Sequence, residues 1–236
     1  MGRRRLVRGA LGVNVRGSAA IAPPRAIRPG SVGIMGGTFD PIHLGHLAVA
    51  EEAREVLGLA RILFVPAGIP PHKLEGPEAA VADRLAMVEL AIAGNPAFEL
   101  CRVDVDRAGP SYTADTVAIL ATSLEPATGT ADLTLIMSAE TLEGLPEWHE
   151  PERLLARCRV AVVPRIGHVA PDRTWLAARF PGFEGQFDLL DGPRLAISST
   201  AIRERAAAGR SIRYLVPEAV EGYIADHHLY TGRRAG

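Results

Sequence analysis

The sequence has few cysteines, no long apolar run and almost no net charge, and each of these absences excludes a class of protein. Its 236 residues include only two cysteines, Cys101 and Cys158, which lie far apart and outside any CxxC pattern. A disulfide-rich secreted scaffold is therefore excluded, and we expect a reduced, cytoplasmic protein. No apolar run approaches the roughly 20 residues that a membrane span needs, so no membrane partner is expected. The formal net charge of −1 excludes a surface that binds nucleic acid throughout.

Acidic residues are also absent from the start of the chain, where none precedes Asp40. Residues 1–29 instead carry arginines among glycine, alanine and proline, which predicts a disordered, dispensable basic extension. A targeting peptide and upstream sequence included by a wrong start codon are the alternatives, although the apolar stretch 19–22 is too short for a secretory signal. The remainder, residues 30–236, has the length and composition of one globular domain.

Two familiar phosphate-binding patterns, GxGxxG and the Walker A loop, do not occur where the first apolar strand ends. That strand, residues 32–35, runs into GGTFDPIHLGHL and then into a helix. Glycines between a strand and a helix expose backbone N–H groups to a bound anion. His43 and His46 add two donors, and Gly45 leaves space between their rings. A zinc site is not favoured because no third ligand follows at a metal-like spacing, whereas a pair of core histidines remains the alternative.

The rest of the chain alternates apolar strands with amphipathic helices. Strands are predicted at 61–65, 101–105, 133–137 and 160–163, with helices between them, one of them at 150–158, and a small helical part at the C-terminus. In the third strand Cys101, Val103 and Val105 alternate with charged residues, which favours a place near the edge of the sheet. This alternation predicts an α/β fold with a doubly wound parallel sheet. Because ligands bind outside the carboxyl ends of such strands, the loops 36–46, 70–73 and 138–148, together with Arg165, should face one crevice.

A second motif, ISSTAIR, lies near the C-terminus. Ser199 and Thr200 can satisfy the first N–H groups of a helix, and Arg203 then falls on its first turn. Taken alone, the motif is equally consistent with a plain helix cap and a surface arginine.

From Val32 to Tyr230 the chain resembles the bacterial nicotinate-nucleotide adenylyltransferases of the HxGH nucleotidyltransferase superfamily. The motifs that carry the resemblance occur in the order GGTFDPIHLGHL, FVPAGIPPHK, SYTADT, LPEW, VVPR, ISSTAIR and SIRYLVPEAVEGYI. The resemblance implies a Rossmann-like nucleotidyltransferase fold. It also implies an enzyme of NAD biosynthesis that joins nicotinate mononucleotide to the AMP part of ATP, with Mg²⁺ carried on the ATP phosphates rather than at a protein site.

The resemblance assigns roles to particular positions. The residues expected to carry catalysis are His43, His46 and Arg203. Those expected to bind ATP are Gly36, Gly37, Thr38, Phe39, Ser138, Glu140, Arg165, Ile197, Ser199 and Thr200. Those expected to bind nicotinate mononucleotide are Asp40, Lys73, Tyr112, Thr113 and Trp148, with Asp40 either bonding the ribose or bracing the loop.

The chain departs from the family pattern after the fourth predicted strand. Relatives carry Gly-x-Asp where this chain has Ser138-Ala139-Glu140. We expect the longer acid and the more restricted serine backbone to weaken ATP binding, so that restoring Gly and Asp lowers the KM for ATP.

The reaction itself needs no general base, because a phosphomonoester with a second pKa of about 6 is largely ionised at neutral pH. Donors and cations that hold two anions in line suffice, without a covalent nucleophile. The sequence leaves open two alternatives: a different acceptor, such as nicotinamide mononucleotide or another phosphomonoester, and a non-catalytic relative that binds nucleotides or nucleic acid. It also leaves open whether the chain forms a homo-oligomer.

Overall fold

The computed structural model describes residues 25–71, 76–124, 131–168 and 171–232. In these ranges six parallel strands form one sheet in the order β3-β2-β1-β4-β5-β6. The strands are β1 (Arg28–Gly37), β2 (Leu59–Pro66), β3 (Phe98–Leu100), β4 (Leu133–Ser138), β5 (Arg159–Val163) and β6 (Phe187–Leu189). The predicted doubly wound parallel sheet is therefore confirmed. β1 pairs with β2 on one side and with β4 on the other, so the order in which strands are added to the sheet reverses between β1 and β4. Ligands of α/β proteins bind at such a point.

Helices cover both faces of this sheet. They are α1 (Leu44–Leu57), α2 (Val81–Ile92), α3 (Val103–Asp106), α4 (Thr113–Ser123), α5 (Ala139–Glu143), α6 (Pro151–Leu155), α7 (Arg173–Arg179), α8 (Ser199–Ala207) and α9 (Glu218–Asp226). Helices α1, α2, α8 and α9 bury apolar side chains in one core cluster, and α4 to α7 do so in a second cluster. None of the helices in the described ranges is both long and apolar enough to cross a bilayer.

The inner part of the sheet is apolar because both of its faces are buried. In β2, Ile62 and Phe64 belong to the cluster on the α1 face, whereas Leu63 and Val65 belong to the other cluster. A parallel strand between two helix layers therefore reads as a continuous apolar run rather than as an alternating one.

The prediction of a third strand at 101–105 was wrong in its position. The strand is β3, three residues earlier. Helix α3 occupies most of the segment for which the alternation of Cys101, Val103 and Val105 predicts an extended backbone. Of Val103, Asp104 and Val105, it is the polar Asp104 that is buried. Its carboxylate accepts a hydrogen bond of 2.6 Å from Thr116 Oγ1, which makes this burial possible. β3 does lie at an edge of the sheet, as predicted.

Several elements went unpredicted. β6 extends the sheet by one strand, and α5 and α7 cover its second face. The helix expected at 150–158 is the shorter α6. β1 begins at Arg28, two residues before the predicted domain boundary, and residues 1–24 of the predicted extension lie outside the described part of the chain.

Candidate active site

A cavity of about 440 Å³ opens at the carboxyl ends of β1, β2, β4 and β5. Its position is the one that the strand order favours, and its volume falls in the range of ligand pockets. Eleven of the predicted site residues line it: Gly36, Gly37, Thr38, His43, His46, Tyr112, Thr113, Ser138, Trp148, Arg165 and Ile197. Lys73 lies outside the described residues.

The two histidines form a reciprocal cap at the start of α1. The amide of His46 donates to Nδ1 of His43 at 3.3 Å, and the amide of His43 donates to Nδ1 of His46 at 3.2 Å. The two rings stack with centroids 3.7 Å apart and planes 17° from parallel. Because each Nδ1 accepts a hydrogen bond, we assign the proton of each neutral ring to Nε2.

Gly45 and Phe39 fix this pair from two sides. A Cβ at Gly45 would lie 2.9 Å from Nδ1 of His43, so only glycine leaves the ring in place. Phe39 packs edge-on against His46, with centroids 5.1 Å apart, and is almost wholly buried. Its side chain does not line the cavity, so the structure places Phe39 as a support for His46 rather than against ATP.

Both imidazoles are neutral at neutral pH. Burial lowers the pKa of His43 to about 4, and the nearby charge of Arg165 contributes in the same direction. Burial also lowers the pKa of His46 well below its usual value, and His43 and Arg165 lower it further. The pair therefore offers two N–H donors rather than two positive charges.

Arg165 is the guanidinium that the structure places in the cavity lining. It follows β5, and its Nη1 lies 2.7 Å from a carboxylate oxygen of Glu140 in an ion pair. Glu140 itself is not among the lining residues and reaches the cavity only through this ion pair.

The expected restriction at Ser138 is absent. Its φ of −81° and ψ of 158° are open to any L-residue, so glycine is not required. Its hydroxyl oxygen accepts a hydrogen bond of 3.2 Å from the amide of Thr141 and so caps α5. The backbone of Ser138 therefore gives no support to the expected weakening of ATP binding.

Arg203, unlike the two histidines, is not among the residues that line the cavity. Its Nη1 donates to the carbonyl oxygen of Asp40 at 2.8 Å, and its Nε pairs with the carboxylate of Glu78. The guanidinium thus ties α8 to the loop that precedes His43. The sequence indicated that Arg203 lies near the loop that precedes His43, but it could not show that Glu78 is its partner.

Asp40 braces the loop, which resolves the choice that the sequence left open. Its carboxylate is almost completely buried and does not line the cavity. It accepts hydrogen bonds from the amides of Glu78 at 2.9 Å and Ala79 at 3.1 Å, and from the hydroxyl of Tyr230 at 2.8 Å.

The other residues of ISSTAIR contribute unequally. Ile197 lines the cavity and lies against Gly45. Ser199 does not line it, because its hydroxyl donates to the carbonyl oxygen of Pro41 at 2.9 Å. Thr200 is exposed and also lies outside the lining. The residue that caps α8 is Ser198.

A group of aromatic residues, separate from the histidine pair, lines another part of the cavity. Tyr112 precedes α4 and stacks on His149 with centroids 4.3 Å apart. Trp148 follows a short 3-10 helix and packs against the core cluster beneath α4. Thr113 begins α4, where helix-start amides favour a carboxylate.

Sequence reasoning missed two buried residues that hold the loops after β1 and β2. Arg84 in α2 donates to the carbonyl oxygen of Thr38 at 2.8 Å, although it is fully buried. The hydroxyl of Ser111 accepts from the amides of Gly68 at 2.9 Å and Ile69 at 3.3 Å. The only signal for Arg84 was its place on the apolar face of α2, where it precedes the buried Val88 by one helical turn.

No group of three histidine, cysteine or carboxylate side chains that could hold a metal ion occurs in the described ranges. The two cysteines are both free thiols, and burial raises the pKa of Cys158 to about 12. Neither thiol lines the cavity.

Comparison with known proteins places this site in a family. Residues 34–205 match the cytidylyltransferase-like family. A protein of Roseiflexus sp. (strain RS-1) is 48% identical over 84% of this chain and 97% of its own length. One of Dehalococcoides mccartyi (strain ATCC BAA-2266 / KCTC 15142 / 195) is 43% identical over 84% of this chain and 96% of its own. Both are named "Probable nicotinate-nucleotide adenylyltransferase".

A solved structure supports the fold independently. The Plasmodium falciparum nicotinic acid mononucleotide adenylyltransferase complexed with NaAD superposes with a TM-score of 0.68 over 85% of this chain and 97% of that one, at 20% identity. The extent and identity of the sequence matches, with the cavity that holds the histidine pair, establish that the chain belongs to the nicotinate-nucleotide adenylyltransferase family of cytidylyltransferase-like proteins.

Proposed function

We propose that this protein transfers the adenylyl group of ATP to nicotinate mononucleotide, forming nicotinate adenine dinucleotide and pyrophosphate in NAD biosynthesis. The observation that carries the proposal is the stacked pair His43 and His46, which shares one cavity with Tyr112, Thr113 and Trp148. An anion-binding helix start and an aromatic surface thus face the same space, as two nucleotide substrates require.

The chemical step is a displacement at phosphorus. A phosphate oxygen of nicotinate mononucleotide forms a bond to the α-phosphorus of ATP. The bond from that phosphorus to the oxygen that bridges to the β-phosphorus breaks, and pyrophosphate leaves with the electron pair. The attacking phosphate is already ionised at neutral pH, so the protein needs no general base. Its task is to hold the two substrates in line and to stabilise the charge that develops on the leaving group.

The histidine pair and Arg165 suit this task on the ATP side. The two Nε2–H groups are fixed by the hydrogen bonds at Nδ1, so they donate without reorganisation. Neutral rings also avoid the cost of burying two adjacent positive charges before ATP binds. Arg165 supplies a positive charge close enough to lower the pKa of both rings. At Gly36 no atom within 4 Å would meet a Cβ, which leaves the backbone accessible to a phosphate.

The acceptor side is assigned to the start of α4 and the segment after α5. The pyridine ring stacks on Trp148 or Tyr112, and its carboxylate meets the amides at Thr113. Lys73 stays a prediction as a further cation for the acceptor phosphate. Arg203 is proposed to hold the loop before His43 rather than to contact ATP directly.

Mg²⁺ is proposed to enter as part of the ATP substrate. The described residues around the cavity offer no three-ligand set, and phosphate oxygens and waters are the ligands that this ion prefers. Its chemistry there is to neutralise charge on the phosphates. We place the enzyme in the cytoplasm because both of its cysteines are free thiols.

A turnover assay with ATP and Mg²⁺ tests the proposal. We expect pyrophosphate release with nicotinate mononucleotide, and release at a rate at least about tenfold lower with nicotinamide mononucleotide, whose amide cannot use the helix-start amides as a carboxylate does. Preference for the amide, or for another phosphomonoester, would replace the acceptor. Absence of turnover with every acceptor, together with salt-dependent binding of RNA or DNA, would contradict the enzyme assignment.

A further inference from the structure

The loop before His43 is held by a carboxylate that the proposed reaction does not use. Asp40 is almost completely buried, and its two carboxylate oxygens accept three hydrogen bonds. Two of the donors are the backbone amides of Glu78 and Ala79, which begin the segment leading into α2. The third is the hydroxyl of Tyr230, which lies 190 positions away in the sequence.

Tyr230 is held rigidly where it meets Asp40. Its ring packs against the core cluster formed by α1, α2, α8 and α9. Its backbone adopts a φ of +58°, a conformation that a bulky residue takes only when its surroundings impose it. Burial and the neighbouring Asp40 raise the pKa of Tyr230, so the hydroxyl keeps its proton and remains a donor to the carboxylate.

The bonds at Asp40 belong to a set that fixes the whole loop from Thr38 to His43. Arg84 holds the carbonyl oxygen of Thr38, and Arg203 holds the carbonyl oxygen of Asp40. The carboxylate of Asp40 sets the direction of the loop between these two points, and three residues later His43 caps α1. A shift of the Asp40 side chain would therefore move the histidine pair relative to the cavity.

We propose that Tyr230 is a positioning residue for adenylyl transfer: through its hydroxyl it orients Asp40 and thereby sets the place of His43 and His46. This rests on the proposed function, because the histidines are its assumed site of action. Tyr230 is not among the residues that line the cavity. A substitution of Tyr230 should therefore lower activity by displacing the histidines and not by removing a contact with a substrate. Such a loss of activity also differs from the loss that lower stability alone would cause.

Tyr223 provides a matched control in the same C-terminal region. Its hydroxyl donates to a carboxylate oxygen of Asp83 at 3.0 Å, so Tyr223→Phe also removes one bond between this region and a carboxylate, here in the first turn of α2. Among the described residues, however, Asp83 makes no hydrogen bond to the loop that precedes His43. A comparison of Tyr230→Phe with Tyr223→Phe therefore separates the loss of a bond from the loss of loop position.

The experiment uses the full chain of the wild type and of each variant. Steady-state kinetics with ATP, Mg²⁺ and nicotinate mononucleotide should show kcat/KM for ATP about fivefold or more lower in Tyr230→Phe and within about twofold of wild type in Tyr223→Phe. The KM for nicotinate mononucleotide should stay within about twofold in both, since Tyr112 and Trp148 are held by other elements. Hydrogen exchange should be faster at the amides of residues 78 and 79 in Tyr230→Phe only.

The outcomes distinguish this proposal from the proposed function. An inactive wild type would refute the function, whereas faster exchange at residues 78 and 79 would still support the link from Tyr230 to Asp40. An active wild type with equal kinetics in Tyr230→Phe would overturn the positioning role. Equal losses of activity and melting temperature in the two variants would overturn it too, because stability alone would then explain both.

Discussion

Gly45→Ala should separate the stability of the fold from the geometry of its catalytic pair. Gly45 is the second residue of α1, and its backbone does not have a positive φ, so alanine fits the backbone. The methyl group does not fit the site. It would lie 2.9 Å from Nδ1 and 3.0 Å from Cε1 of His43, closer than side-chain carbons approach such atoms. The imidazole must therefore move away.

The energetic terms nearly cancel for folding. Alanine in place of glycine in a helix gains up to about 1 kcal/mol. Displacing the His43 ring weakens its hydrogen bond to the amide of His46, and losing a helix cap costs about 1 kcal/mol. We therefore expect the free energy of unfolding to change by less than about 1 kcal/mol. Catalysis has no compensating term, because a displacement approaching 1 Å in a catalytic group can reduce the rate about 100-fold.

The control is Gly222→Ala in α9, where no atom within 4 Å would meet the new methyl group. That variant should gain about 1 kcal/mol, which raises the melting temperature by roughly 2–4 °C in a protein of this size, with unchanged activity. Gly45→Ala should instead lose about 30-fold or more in kcat for pyrophosphate release while its melting temperature stays close to wild type. Activity within twofold of wild type in Gly45→Ala would refute the claim that the stacked geometry is needed.

Three further perturbations test other parts of the site. The pKa of His43 is about 4 in the folded state against 6.5 when unperturbed. The free energy of unfolding should therefore fall as the pH drops from 6.5 towards 4, and urea titrations should show a decrease of about 2–3 kcal/mol at a pH of about 4.5. His43→Asn has no group that titrates in this range, so it should lack this part of the decrease. Ser138→Gly should leave the KM for ATP unchanged in steady-state assays, because φ is already −81°; a clear decrease would restore the original expectation. Glu78→Gln should cost less than about 1 kcal/mol in urea unfolding because Glu78 is 58% exposed, whereas a fivefold lower KM for ATP would show that Glu78 withholds Arg203 from the phosphates.

The sheet could be predicted because its signals are local. The run from Arg61 to Val65 indicates a buried strand, and the glycines at the end of β1 indicate a turn, without reference to the rest of the chain. β3 was misplaced for the same reason, since an alternating pattern at 101–105 was the local signal. The burial of Asp104 depends on Thr116 and Arg107, which only the folded chain brings to it.

The site was predictable as a set of loops but not as a set of partners. Motifs identified the histidine pair, and the strand order then placed it beside Arg165. No local pattern could show that Arg203 is paired with Glu78, because the two residues lie 125 positions apart. The partners of the Asp40 carboxylate also lie far from it in sequence, at separations of 38, 39 and 190 positions. The protonation state of the two histidines could not be predicted either, because their neutral form follows from burial and not from the sequence.

The most direct test of the histidine pair is the rate of pyrophosphate release from ATP and nicotinate mononucleotide in His46→Ala. His227→Ala is the control, because His227 is also a stacked histidine, on Tyr223 with centroids 3.8 Å apart, but is exposed and is not among the residues that line the cavity. We predict that His46→Ala loses about 100-fold or more in kcat while His227→Ala stays within twofold of wild type. A His46→Ala enzyme that remains folded and within about fivefold of wild type would contradict the account.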